Sequence, residues 1–193
     1  MPNFFSWKGS KKAYIEVGNM YRNVTCSKGK THVLAVQQRD MSCGIASVAM
    51  VVARCRNLLL DETSLRAYSA CFDQGAFRAG TGAYSEHGGT AMFNMEIMLK
   101  KMCVPCESQY FTDVKPALRS ASISKPVIAH IEWAGSPGIP GGAHFVVVDG
   151  MNGESAVICD PWSDYGFSEI NTVPSYNPNG ASGRFSGWLL LTT

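Results

Sequence analysis

The stretch that most constrains this chain is Gln37 to Ala53, QQRDMSCGIASVAMVVA, a polar turn running into a segment that is apolar almost all round. From Gly44 to Ala53 only Ser47 is polar, so a helix here has no face for water. Such a helix belongs in the centre of a fold, with other layers packed about it. Cys43 stands at its mouth, with Ser42 or Cys43 itself near the N-cap. The first turn of a helix carries unpaired N–H groups and a partial positive charge, and both stabilise a thiolate. A buried helix that opens on a cysteine is therefore one way to build a nucleophile. The plain alternative is an inert core thiol, because free cysteine is among the most buried residue types. The chain has seven cysteines, Cys26, Cys43, Cys55, Cys71, Cys103, Cys106 and Cys159, so Cys43 has to be singled out by its company.

At 193 residues the chain fits a single domain spanning 1–193, long enough to bury a sizeable core. The net charge is +2, and the only paired lysines are Lys11-Lys12 and Lys100-Lys101, which argues against a nucleic-acid partner. No apolar run reaches the length of a membrane span. The N-terminus, MPNFFSWKGSKK, lacks the apolar core of a secretory signal. An odd cysteine count without framework spacing reads as reduced thiols in a cytoplasmic protein, or in one exported without a cleaved signal peptide.

Along the chain, 13–17 and 31–36 read as short strands with a turn at 27–30. His32 reads as a strand residue. Asp61-Glu62-Thr63 opens a helix, and 72–90 is a glycine-rich loop containing His87. Met92, Met95, Leu99 and Met102 recur at helical spacing, a core stripe over Thr90 to Met102. Cys103 and Cys106 form a lone C-x-x-C, but a zinc site needs a second pair and a redox motif a following helix. We expect no metal and no cofactor. Val114 to Ala121 is a short helix, followed by strands at 126–133, 144–150 and 155–160 and a last one at 188–191. Helices first and strands later predict an α+β fold, a helical part at about 37–121 packed on an antiparallel sheet at about 126–192.

The hairpin at Met151-Asn152-Gly153 fixes more. A three-residue loop with Gly153 in the left-handed region pairs Gly150 with Glu154 and puts His144 directly opposite Asp160. Opposed residues share a face, with Cβ atoms about 5 Å apart. A two-residue Asn-Gly turn would shift the register by one and separate them to opposite faces. A carboxylate beside a histidine fixes its tautomer and stabilises its protonated form. Such a histidine next to a helix-mouth cysteine makes a thiolate–imidazolium pair. Attack on a carbonyl also needs oxyanion donors: the Cys43 N–H is one, and Gln37 or Gln38, six and five residues upstream, offers another.

Gln-x5-Cys-Gly before a central helix, Gly-Ala-His-Phe-Val-Val-Val-Asp-Gly, and Cys-Asp-Pro-Trp together resemble the papain-like cysteine peptidases. The resemblance is to their compact bacterial branch, the leader peptidases of bacteriocin exporters and the effector and toxin peptidases. It implies Cys43 as nucleophile, His144 as base, Asp160 as orienting carboxylate and Gln37 in the oxyanion hole. It also implies a protein or peptide substrate, hydrolysed through a thioester. Gly142, Ala143 and Trp162 would line the substrate cleft, with Trp133 a further apolar wall and the glycine-rich segments 75–89 and 135–142 flanking it. A toxin of this kind would have an immunity or inhibitor protein as partner. Cys43-Gly44-Ile45-Ala46-Ser47 also resembles phytochelatin synthase, and transglutaminases use the same triad order. Acyl transfer to an amine, and a binding module with an inactive site, are the competing readings.

Overall fold

The computed structural model describes residues 20–70, 83–134, 141–178 and 182–193. The strand expected at 13–17 lies outside them. The described chain opens with a hairpin of β1 (Tyr21–Thr25) and β2 (Thr31–Ala35). Three helices follow: α1 (Cys43–Arg56), α2 (Glu62–Ala70) and α3 (Met92–Lys101). Then come β3 (Cys106–Tyr110), α4 (Lys115–Ser120), β4 (Val127–Trp133), β5 (Gly142–Asn152), β6 (Ser155–Cys159), β7 (Phe167–Ile170), β8 (Ser175–Tyr176) and β9 (Gly183–Thr192). Helices packed on an antiparallel sheet make this an α+β fold, as the order of elements predicts.

The sheet runs β3-β9-β4-β5-β6-β7, with β8 also on β9, and every pairing is antiparallel. The apolar run of β5 is continuous because both faces of the sheet are covered. Phe145 and Val147 pack with α1 and α3; Val146 and Val148 pack on the other face with Leu118 of α4 and with Tyr176. The all-apolar α1 is central, with every residue from Gly44 to Ala53 buried. Its Ile, Val and Met side chains each contribute about 1.5–3 kcal/mol of apolar burial. Arg54 and Arg56 suit its negative end, and Asn57 closes it in the left-handed conformation at φ 51°.

The C-x-x-C divides. Cys103 is an exposed helix terminator at φ 58°, whereas Cys106 is buried on β3 with its thiol directed at the Glu96 carbonyl. Four strands are not read in the sequence: β1, β3, β7 and the two-residue β8. The last strand is also longer at its start than 188–191. Among the described residues no helix is long and apolar enough to cross a membrane.

Candidate active site

α1 begins on Cys43 itself, which is half-buried. Ser42 precedes it, but its hydroxyl turns back to donate to the Arg39 carbonyl at 2.8 Å and makes no bond to the helix. The first-turn N–H groups are therefore uncapped by that side chain, beside the thiol. Gly44 is demanded by packing. A Cβ there would lie 2.2 Å from Thr90 Cγ2 and 3.0 Å from Met95 Sδ, where the helix mouth meets the entry to α3.

His144 and Asp160 meet, by a register different from the one read in the sequence. The turn is two residues, Gly153-Glu154, flanked by the pairs Asn152↔Ser155 and Met151↔Ala156. That register alone would have put His144 and Asp160 on opposite faces. Gly150, at φ 123°, forms a bulge between Met151 and Val148 and takes up one residue. Beyond it Val148 pairs with Ile158 and Val147 with Cys159, so the continuation sets Asp160 opposite Val146. His144, two residues on, shares that face diagonally. Gly150 thus pairs with nothing across the ladder, and the expected Gly150–Glu154 pair is replaced by the bulge. Gly153 does have positive φ, at 62°.

The His144 Nε2 to Asp160 Oδ1 distance is 2.8 Å, leaving Nδ1 for the thiol side. Both side chains are buried, at 2% and 0% exposure. Asp160 is held from two further directions. Its Oδ1 accepts the Trp162 backbone N–H at 2.7 Å, and its Oδ2 accepts the hydroxyl of Tyr176. Burial would lower the His144 pKa. The bond to Asp160, the neighbouring Cys43 thiol and the Asp160 charge outweigh it and raise the imidazole to about 9. Tyr176 is pushed well above its ordinary value by burial and by the Asp160 charge, so it stays a proton donor. Nothing in the sequence marks Tyr176. It lies in a two-residue strand and reaches Asp160 only through the β8–β9 pairing.

Gln37 adjoins the same corner, its backbone N–H donating to the Pro161 carbonyl at 2.8 Å. Its side-chain nitrogen donates to the carbonyls of Arg39 and Asp40 at 2.8 and 3.0 Å. The carboxamide thus closes the turn before Cys43, whereas the sequence predicts it facing an oxyanion.

Aromatic rings surround the histidine. Trp162 lies 5.4 Å from it and Trp133 6.0 Å, centroid to centroid, and Tyr165 packs on both tryptophans. Trp162 is 40% exposed, so it forms an open wall. Gly142 and Ala143 are exposed on the strand leading into His144, paired with Trp133 and Glu132. Of the segments expected to flank the cleft, 75–82 and 135–140 lie outside the described residues. Of the rival histidines, His32 is engaged with Asp149 and His130 with Ser186, and His87 is exposed on a turn. Among the other described cysteines, burial pushes Cys106 and Cys159 up to about 12 and raises Cys55. Burial disfavours the thiolate in all three, whereas the His32 imidazole beside Cys26 lowers that thiol. Cys71 is outside the described residues.

The sequence profile of the papain-like cysteine protease AvrRpt2 family, peptidase family C70, matches residues 27–181, about four-fifths of the chain. No curated protein sequence matches. Among solved structures, the peptidase domain of Streptococcus ComA, a bifunctional ABC transporter of a quorum-sensing pathway, superposes with TM-score 0.52 at 18% identity. That match covers 82% of this chain and 96% of the other. A C39-like peptidase from Bacillus anthracis gives 0.52 at 17% identity over 82% and 92%. A double glycine motif protease from an AMS/PCAT transporter, solved with its leader peptide, gives 0.50 at 21% identity over 82% and 89%. At these identities the likeness establishes the shared fold.

Proposed function

From the premise that the chain belongs to the papain-like cysteine protease AvrRpt2 family, we propose that Cys43 is its nucleophile, His144 its acid and base, Asp160 the residue that orients the base, and Gln37 a donor on the oxyanion side. One observation carries the assignment. A buried imidazole held by Asp160 and raised to about 9 faces the thiol at the mouth of the central helix.

The chemistry is that of a cysteine peptidase, and the substrate is a protein or peptide. The Cys43 sulfur attacks the scissile carbonyl carbon, forming a C–S bond and pushing an electron pair onto the oxygen. The Cys43 N–H and a Gln37 amide proton meet that charge. Gln37 supplies its proton by giving up the longer of its two turn bonds, the 3.0 Å contact with Asp40. As the C–N bond breaks, His144 Nδ1 passes its proton to the departing amine, leaving a thioester. Water then attacks, His144 takes its proton, the C–S bond breaks and the carboxylate product leaves. Asp160 holds Nε2 throughout and keeps Nδ1 directed at the thiol.

Family membership further supports an effector-type life outside the producing cell, with cleavage restricted to particular proteins. The test is a comparative digest of a host-cell proteome. The native protein should yield a short list of new termini, and Cys43→Ala none. Alkylation by iodoacetamide or E-64 should map to Cys43. Faster labelling of Cys26 or Cys103 would overturn the assignment.

A further inference from the structure

Outside the triad, the described chain buries two carboxylates for which the mechanism above has no use, Asp149, which is paired with Arg54, and Glu62. Glu62, in the first turn of α2, is completely buried. Burial raises its pKa, as expected for an anion taken out of water. Its position does not come from capping its own helix. Asp61 does that, its Oδ1 accepting the Ser64 N–H at 2.8 Å. Glu62 instead points across to the turn before α1. Its Oε2 accepts the backbone N–H of Gln38 at 2.7 Å. The Ser42 hydroxyl lies beside the same carboxylate, its proton given to the Arg39 carbonyl at 2.8 Å. Arg66, one turn along α2, stands 3.4 Å from the other oxygen and is itself paired outward with Glu86 at 2.8 Å.

Glu62 holds the Gln37–Ser42 turn at the N–H immediately after Gln37. A buried carboxylate is costly when its partners are imperfect, so an apolar side chain would serve packing as well or better. What an apolar side chain would not do is fix the distance between an amide upstream of the nucleophile and the nucleophile itself. Sub-ångström placement of such a donor matters, because misplacement by about 1 Å can cost about 10²-fold in rate.

We propose that Glu62 is a positioning residue that clamps the Gln37–Ser42 turn and thereby sets the oxyanion-side donor against Cys43. This rests on Gln37 acting as that donor. Glu62 touches neither the thiol nor the imidazole, so it acts on turnover and leaves the ion pair alone.

The experiment is a double-mutant cycle on the full chain with a fluorogenic peptide substrate taken from the proteome digest, using Gln37→Ala, Glu62→Gln, Glu62→Leu and the combinations of each with Gln37→Ala. Iodoacetamide alkylation, which forms no oxyanion, is the second readout. Glu62→Leu should lower kcat about tenfold or more with KM changed less than about threefold, and Glu62→Gln, which keeps one acceptor oxygen for Gln38, should lose less. The rate and pH dependence of Cys43 alkylation should stay those of the native protein. With Gln37 already replaced, either change at Glu62 should cost no more than about twofold further, the margin within which independent sites are told from coupled ones. Losses that multiply in full would overturn the role of Glu62 while leaving Gln37 in place. Slowed alkylation would overturn it too, by showing damage to the thiol–imidazole pair. A Gln37→Ala enzyme with native turnover would overturn the oxyanion reading, and the clamp with it. Should Glu62→Leu fail to fold, the cycle with Glu62→Gln decides the same question.

Discussion

Gly150→Ala tests whether the meeting of base and carboxylate depends on the bulge. Gly150 has φ 123°, a conformation that side chains rarely adopt, and a Cβ there would lie 2.8 Å from the Ala121 carbonyl oxygen, a backbone atom. Backbone strain of this kind costs about 1–3 kcal/mol. Pressing a methyl against a backbone carbonyl adds about 1–3 kcal/mol. The sum, about 2–6 kcal/mol, is a large share of a domain stability of about 5–15 kcal/mol. Differential scanning fluorimetry should show Tm lower by about 5–20 °C, given about 2–4 °C per kcal/mol at this length. The second consequence is chemical. The chain can escape the strain by losing the bulge, and then the tip register runs through and Asp160 leaves the face of His144. Turnover measured well below the melting temperature should therefore fall by about 10²-fold or more, the scale of losing base orientation. Gly153→Ala is the control. Gly153 has φ 62° but open space about it, so the substitution should cost about 1–2 kcal/mol and leave turnover intact. A folded Gly150→Ala protein with native Tm and turnover would refute the register argument.

Four other outcomes follow from the same geometry. Gly44→Ala should destabilise by about 1–3 kcal/mol, because its methyl meets Thr90 Cγ2 at 2.2 Å, and Thr90→Ser in the same chain should recover much of that in a urea titration by removing the offending atom. Tyr176→Phe keeps the ring but deprives the buried Asp160 of a donor, so chemical denaturation should show a loss of about 1.5–3 kcal/mol. The profile of kcat/KM against pH should have its alkaline limb near 9, where His144 loses the proton it delivers, and the stability this raised group contributes should be full below about 6.5 and lost progressively as pH rises to about 9; in Asp160→Asn the limb should lie at lower pH, and an unmoved limb would assign it elsewhere. Asp149→Leu should destabilise by about 3–5 kcal/mol by stranding the buried Arg54 charge, and adding Arg54→Met should restore most of that in the melting curve while kcat stays reduced.

Much of the site was legible because its determinants are local. The all-apolar pattern of 44–53 allows only a central helix, and Cys43 at its start follows directly. His144 and Asp160 sit on adjacent strands of one hairpin, so counting across a turn sufficed to bring them together in principle. The count itself went astray at the tip. Asn-Gly suggested a three-residue loop, whereas the chain turns on Gly153-Glu154 and corrects the parity at Gly150. Two departures cancelled, and the right pair emerged with a diagonal relation instead of an opposed one. Gln37 does lie in the turn before α1, but its amide bonds within that turn depend on backbone carbonyls that no side-chain pattern announces. Tyr176 and Glu62 reach the site through contacts between distant segments.

The same limit hid the buried group behind the catalytic elements. His32 looked like an ordinary strand residue, yet its Nδ1 lies 2.7 Å from Asp149, and Arg54 reaches the same oxygen at 2.7 Å and the Cys159 sulfur at 3.3 Å. Each of the last three residues shares an element with a member of the site or adjoins one. Arg54 is on α1 with Cys43, Asp149 on β5 with His144, and Cys159 directly precedes Asp160. Stability is a poor reason for such a network, since buried ion pairs are often replaced by apolar side chains without loss. An apolar contact, however, tolerates sliding, and a helix packed on a strand by methyl groups alone has several settings of similar energy. A charged group tied to two strands has one. The network fixes how far α1 lies along β5 and β6, and with it the distance from the thiol at one end of α1 to the imidazole at one end of β5.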